Sequence, residues 1–142
     1  MIVLDTNVIS EPLRPAPDTN VLAWLDAQDI DTLYLTTISI AELVYGMAIM
    51  PEGKRRQELQ AALQDRILSL FASRILPFDE AAAHANAGLR ARAKFAGKAI
   101  SVTDGYIAAI AVAHGFAVAT RDTQPFEAAG IDVINPWVSV DL

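Results

Sequence analysis

The sequence predicts an α/β fold, a single domain over residues 1–142 with a central parallel sheet flanked by helices. Three observations predict it. Short apolar runs of strand length alternate with helix-length segments along the chain, the order that gives parallel strands joined by right-handed crossovers. The 142 residues suffice to bury a core and suit one domain. No repeat, low-complexity tract or linker divides them.

Residues 2–5 read as a strand because Ile2-Val3-Leu4 is an unbroken apolar run, and a helical turn follows near residues 8–11. Pro12, Pro15 and Pro17 oppose a continuous helix, so 12–17 is expected as a loop. Asp18 suits the N-cap of a helix through Gln28, with Val21, Leu22, Trp24 and Leu25 as its apolar face. A strand at 33–36 and a helix at 41–50, ended by Pro51, come next. Leu59, Leu63, Ile67 and Leu70 recur every three or four residues and predict a long amphipathic helix over 52–73. Ile75-Leu76-Pro77-Phe78 fits only a sheet edge, since its proline lacks a donor.

Asp79 caps the helix expected over 80–96, which Gly97 stops. The apolar helix expected over 104–114 ends at Gly115, a residue at ease in the left-handed conformation. A strand at 117–120, a short helix at 125–129 and a strand at 132–134 complete the order.

Composition narrows the function. The chain is 53% hydrophobic and 20% charged, which excludes a disordered polypeptide. It contains no cysteine, which removes disulfides, thiolate zinc sites and cysteine nucleophiles together. The first apolar run stops at Asp5 with no basic segment before it, unlike a secretory signal. The longest uncharged stretch, Gly105 to Thr120, is shorter than the ~18 apolar residues of a spanning helix. A soluble, cytoplasmic protein with no membrane partner is expected.

Net charge is −6, which by itself disfavours nucleic acid. Its distribution reverses that reading. Residues 51–98 hold nine of the eleven bases against five acids, a local +4, and the remainder is −10. An acidic part facing a basic middle suits metal ions and a polyanion on one surface, although charge runs are also ordinary solvated faces.

Four acids stand where strands end or helices begin. Asp5 closes the first strand, Glu42 follows the strand at 33–36 by a loop, Asp104 opens the apolar helix, and Asp122 follows the strand at 117–120. In a parallel sheet such positions converge at the carboxyl edge, where ligands bind. Each acid has a structural alternative. Asp5 can cap the turn after it. Glu42 in Ser39-Ile40-Ala41-Glu42 and Asp104 in Ser101-Val102-Thr103-Asp104 both fit capping boxes. Asp122 fits a turn. Together the four point to a hard divalent ion, Mg²⁺ or Mn²⁺, held by oxygen ligands. His84 and His114 have no metal-type spacing and read as helix residues. Phosphate-loop, dinucleotide-binding, serine-hydrolase and zinc-protease motifs are all absent.

Ile2-Val3-Leu4-Asp5-Thr6-Asn7, Ser39-Ile40-Ala41-Glu42-Leu43, Thr103-Asp104-Gly105-Tyr106-Ile107-Ala108-Ala109 and Ala119-Thr120-Arg121-Asp122-Thr123, in that order, resemble the PIN-domain nucleases. Val8-Ile9-Ser10-Glu11-Pro12 and Ile134-Asn135-Pro136-Trp137 extend the likeness to VapC-type toxins of bacterial toxin–antitoxin pairs, in their FitB-like branch. The resemblance spans nearly the whole chain. It implies a PIN-like fold and a metal-dependent RNA endonuclease that leaves a 5′-phosphate and a 3′-hydroxyl. Asp5, Glu42, Asp104 and Asp122 would be the ligands and catalytic acids, with Asn7 and Thr120 in support. It also implies a homodimer and a DNA-binding antitoxin through which the pair reaches promoter DNA. The helix over 52–73 is one candidate dimer surface.

Two other classes compete. A phosphoryl-transfer domain with Asp5 as acceptor wants a second acid beside it and a placed lysine, and Asp5-Thr6-Asn7 offers no such acid. A PIN-like module that binds RNA or protein without cutting has no need of all four acids.

Overall fold

Three residues of strand, Ile2–Leu4 (β1), sit at the centre of the sheet and set its two faces. The computed structural model describes residues 1–138; the last four residues of the expected 1–142 domain lie outside the described residues. β1 is followed by α1 (Thr6–Ser10) and a 3₁₀ turn at Glu11–Leu13, then α2 (Thr19–Ala27) and a 3₁₀ turn at Ile30–Thr32. β2 (Leu33–Thr36), α3 (Thr37–Ala48), α4 (Lys54–Ala62) and a π-helical segment at Leu63–Leu68 lead to β3 (Ile75–Leu76). α5 (Glu80–Phe95), α6 (Val102–His114), β4 (Ala117–Ala119), α7 (Thr123–Ala128) and β5 (Val133–Ile134) follow.

The five strands are ordered β3-β2-β1-β4-β5, and every pair is parallel. The sheet is the expected parallel one, with the proline-bounded β3 at an edge. Because side chains alternate along a strand, Val3 and Val118 face a core formed with α5, α6 and α7. Leu4, Leu33, Leu35 and Ala119 face a second core formed with α1, α3 and the π-helical segment. Coverage on both faces explains why the strands are continuously apolar.

α6 and α7 each begin two residues earlier than expected, and four other differences have local reasons. The first helical turn begins at Thr6, not near Val8, because Asp5 caps it: its Oδ1 accepts the Thr6 N–H at 2.8 Å. Pro12 belongs to the 3₁₀ turn, and buried Glu11 holds the loop after it by accepting the Asp18 N–H at 3.0 Å. α3 begins at Thr37, four residues early, because the Thr36 hydroxyl accepts the Ser39 N–H at 3.1 Å and so supplies the cap. The expected helix over 52–73 is broken into α4 and a π-helical segment. The wider turn moves the inward face, so that Phe71 is buried with Leu63 and Ile67 while Leu70 is exposed.

Elsewhere the caps fall as the residues predict. Asp18 and Asp79 accept first-turn N–H groups of α2 and α5, and Gly115 ends α6 at φ 71°. α6 carries the most thoroughly buried face, with Ile107, Ala108, Ala109, Ile110 and Ala111 all enclosed. Ile107→Ala is therefore expected to lower stability by about 2–5 kcal/mol, measured by urea unfolding. A change below the lower figure would place α6 outside the cooperative core.

Candidate metal centre

The parallel strands end on one edge of the sheet, and the four predicted acids sit on the segments leaving or approaching it. Asp5 directly follows β1 and is only 5% exposed. Both its oxygens are engaged: Oδ1 with the Thr6 N–H and Oδ2 with the Thr120 hydroxyl, each at 2.8 Å. Thr120, fully buried after β4, also accepts the Asp122 N–H at 3.2 Å. One hydroxyl thus ties two of the acids to the central strand pair.

Glu42 lies on the second turn of α3 and does not cap it. Ser39 is buried inside the helix, so the expected capping box does not form. Glu42 Oε1 instead accepts the Thr6 hydroxyl at 2.8 Å. A hydroxyl has one proton, so Thr6 Oγ1, 2.9 Å from Ser39 Oγ, accepts from Ser39 while it donates to Glu42. The sequence marks Ser39 only as a possible cap and does not pair Thr6 with Glu42. The three oxygen-bearing side chains of Asp5-Thr6-Asn7 were the available signal, but the partner of Thr6 is set by the packing of α1 on α3.

Asp104 is in the first turn of α6, where Ser101 accepts its N–H at 3.2 Å. The first half of the predicted capping box is therefore present. Asp122 occupies the N-cap position of α7 but makes no side-chain cap bond. His84 pairs with Glu80 at 3.5 Å on an exposed face of α5, and His114 lies in the last turn of α6.

Electrostatics links the acids. The Asp5 carboxyl is pushed up to about 6, first by burial and then by the charges of Asp104 and Glu42, with the Thr120 and Thr6 hydrogen bonds opposing. The Asp104 carboxyl is raised as well, first by burial and further by Asp122, with the Ser101 hydrogen bond opposing. The four thus form a run of like-charged neighbours. Among the described residues, no Lys, Arg or His lies within ion-pair distance of any of them. No lysine is placed beside Asp5, as a phospho-acceptor would need.

As they stand, no three acids among the described residues are close enough to hold one ion. The chemistry of the set nevertheless fits a hard cation. All four are oxygen donors, burial disfavours the charge of Asp5 and Asp104, and Asn7 Oδ1 is a further buried oxygen with no hydrogen-bond partner. A divalent ion would relieve both the repulsion and the unpaired acceptor.

Residues 2–131 match the family model described as PIN domain. The chain is 61% identical over 137 residues to VapC ribonuclease Y4jK of Sinorhizobium fredii, covering 96% of this chain and 98% of that one. It is 53% identical to toxin FitB of Neisseria gonorrhoeae, covering 96% and 99%. The structure of FitAB bound to an IR36 DNA fragment superposes with a TM-score of 0.95 at 50% identity, covering 99% of each chain. The chain belongs to the PIN-domain family, in the branch of VapC-type toxins that includes FitB.

Proposed function

We propose that the protein is a divalent-metal-dependent endoribonuclease, the toxin of a type II toxin–antitoxin pair, working in the cytoplasm. The single observation that carries this reading is the electrostatic coupling of four carboxylates at one edge of the sheet, with no cationic side chain among the described residues within ion-pair distance of them. Likeness to a VapC ribonuclease over nearly the whole chain supports the choice of RNA.

In this reading Asp5, Glu42, Asp104 and Asp122 hold Mg²⁺ or Mn²⁺. Such an ion would supply activation of a water nucleophile and would offset charge developing on the phosphoryl oxygens. The protein's own part is orientation. Thr120 fixes Asp5 and the start of α7 together, and the Thr6 hydroxyl aims Glu42. Asn7 Oδ1 supplies a neutral oxygen. Burial of Asp5 excludes water from one side and strengthens its attraction to a cation.

The partner in this reading is a DNA-binding antitoxin, through which a homodimer of the chain reaches promoter DNA. The DNA-bound FitAB assembly supports it. An apolar groove of about 250 Å³ begins at Glu42 and runs past Leu43, Met47, Met50 and Leu59, with Arg55 on its wall. A segment seated there would cover Glu42.

Purified, antitoxin-free protein is expected to cut total cellular RNA with Mg²⁺ or Mn²⁺, and EDTA is expected to stop it. Asp5→Asn removes a proposed ligand, so its activity falls further than the roughly 10–100-fold loss expected for the supporting change Thr120→Val. Full activity in Asp5→Asn would sink the assignment.

The acid also has a stability signature. Its folded carboxyl titrates near 6 against 3.8 in the open chain. Protonation therefore favours the folded state at low pH, and that gain is lost as pH rises through about 6. In metal-free buffer, Asp5→Asn is expected to unfold at higher urea than the parent near neutral pH. The difference is at most about 3 kcal/mol and closes near pH 4. Added Mn²⁺ reverses the order by stabilising only the parent. Curves that coincide at every pH would mean that Asp5 is not held against its charge.

A further inference from the structure

The metal centre has no cation of its own, yet nine of the eleven bases lie between residues 51 and 98. A nucleic-acid strand entering an acidic site needs cations immediately outside it. Asn86, Arg90 and Lys94 recur at four-residue steps along one ridge of α5, each step rising about 6 Å. With Ile100 and nearby alanines they line an open cleft of about 330 Å³ that contains no acid.

The ridge reaches the centre through Gly105, the residue after Asp104. A Cβ at Gly105 would stand 3.2 Å from Arg90 Cδ and 3.3 Å from Asn86 Oδ1, so both side chains lie against the first turn of α6. Among the described residues Arg90 has no ion-pair partner. Asn86 Oδ1 is buried against this turn, so Asn86 seats the ridge on α6 and leaves Arg90 and Lys94 as the cations of the cleft. Next to Lys94 in sequence, at the end of α5 and outside the cleft lining, Phe95 is 87% exposed, with Lys98 three residues on.

We propose that this ridge is a path for single-stranded RNA. Arg90 and Lys94 hold backbone phosphates beside the metal centre, and the exposed ring of Phe95 stacks a base. The proposal deepens the ribonuclease reading and rests on it. A second copy of the chain is the less suitable occupant. A two-fold contact would pair this face with itself, and the cleft offers no acid to meet Arg90 and Lys94.

The test is binding of a fluorescent single-stranded RNA to the full chain carrying Asp5→Asn, followed by anisotropy over a range of salt. Arg90→Ala and Lys94→Ala are each expected to weaken binding about ten-fold and to reduce the salt slope by about 0.7 per lost contact. Arg90→Lys restores part of the loss. Phe95→Ala weakens binding without changing the salt slope. Lys94 is exposed, so its variant tests the path even if Arg90→Ala fails to fold. Unchanged affinity and slope in Lys94→Ala would overturn the proposal. So would a Phe95→Ala protein that loses self-association by light scattering but binds RNA as before. Cleavage by the unmodified chain is read separately: cutting with unaltered affinities in the variants sinks the path alone, whereas ridge-dependent binding without cutting sinks the nuclease.

Discussion

Like-charge crowding is the constraint around which this edge of the fold is arranged. A carboxylate that is almost fully enclosed stands at the end of the central strand, within the field of Asp104 and Glu42. Neighbouring carboxylates repel, and burial makes each charge harder to hold. The protein answers with hydroxyl and backbone donors rather than with cations. The Thr6 hydroxyl serves Glu42, and the Thr120 hydroxyl and the Thr6 N–H serve Asp5. These bonds orient the acids without neutralising them.

The parallel sheet makes that crowding attainable. Every strand runs in the same direction, so residues following β1 and β4 emerge together. Helices covering the sheet start at the same edge, and Glu42 and Asp104 ride on the early turns of α3 and α6. Apolar contact on both faces keeps the edge in place. At about 1.5–3 kcal/mol for each fully buried aliphatic side chain, the two cores readily offset the penalty of a few confined acids. A rigid scaffold can therefore carry an electrostatically strained site.

Charge is also sorted along the chain in a way that suits this arrangement. The acids converge at the sheet edge, while the bases concentrate on residues 51–98. α5 carries part of that excess to the side of α6, and Gly105 permits the close approach of Arg90 and Asn86 to the turn bearing Asp104. A larger residue at 105 would have to displace them. An overall acidic protein can thus present a cationic approach to an anionic substrate.

The sequence by itself determined the class of fold and most of its elements. Alternation of apolar runs with helical periods led to the parallel sheet, and Asp18, Asp79 and Gly115 marked helix ends, because these signals are local. It also singled out four acids by their places at element boundaries. Tertiary structure decided the rest. Thr36 rather than Ser39 caps α3, which removes Glu42 from a capping box and leaves its carboxylate to the Thr6 hydroxyl thirty-six residues away. The π-helical segment puts Phe71 inside where periodicity pointed to Leu70. Arg90 and Asn86 meet Gly105 only because α5 and α6 pack together. Periodicity and capping report on neighbours within a few residues, whereas these contacts join segments far apart in the chain and depend on how whole elements settle against one another.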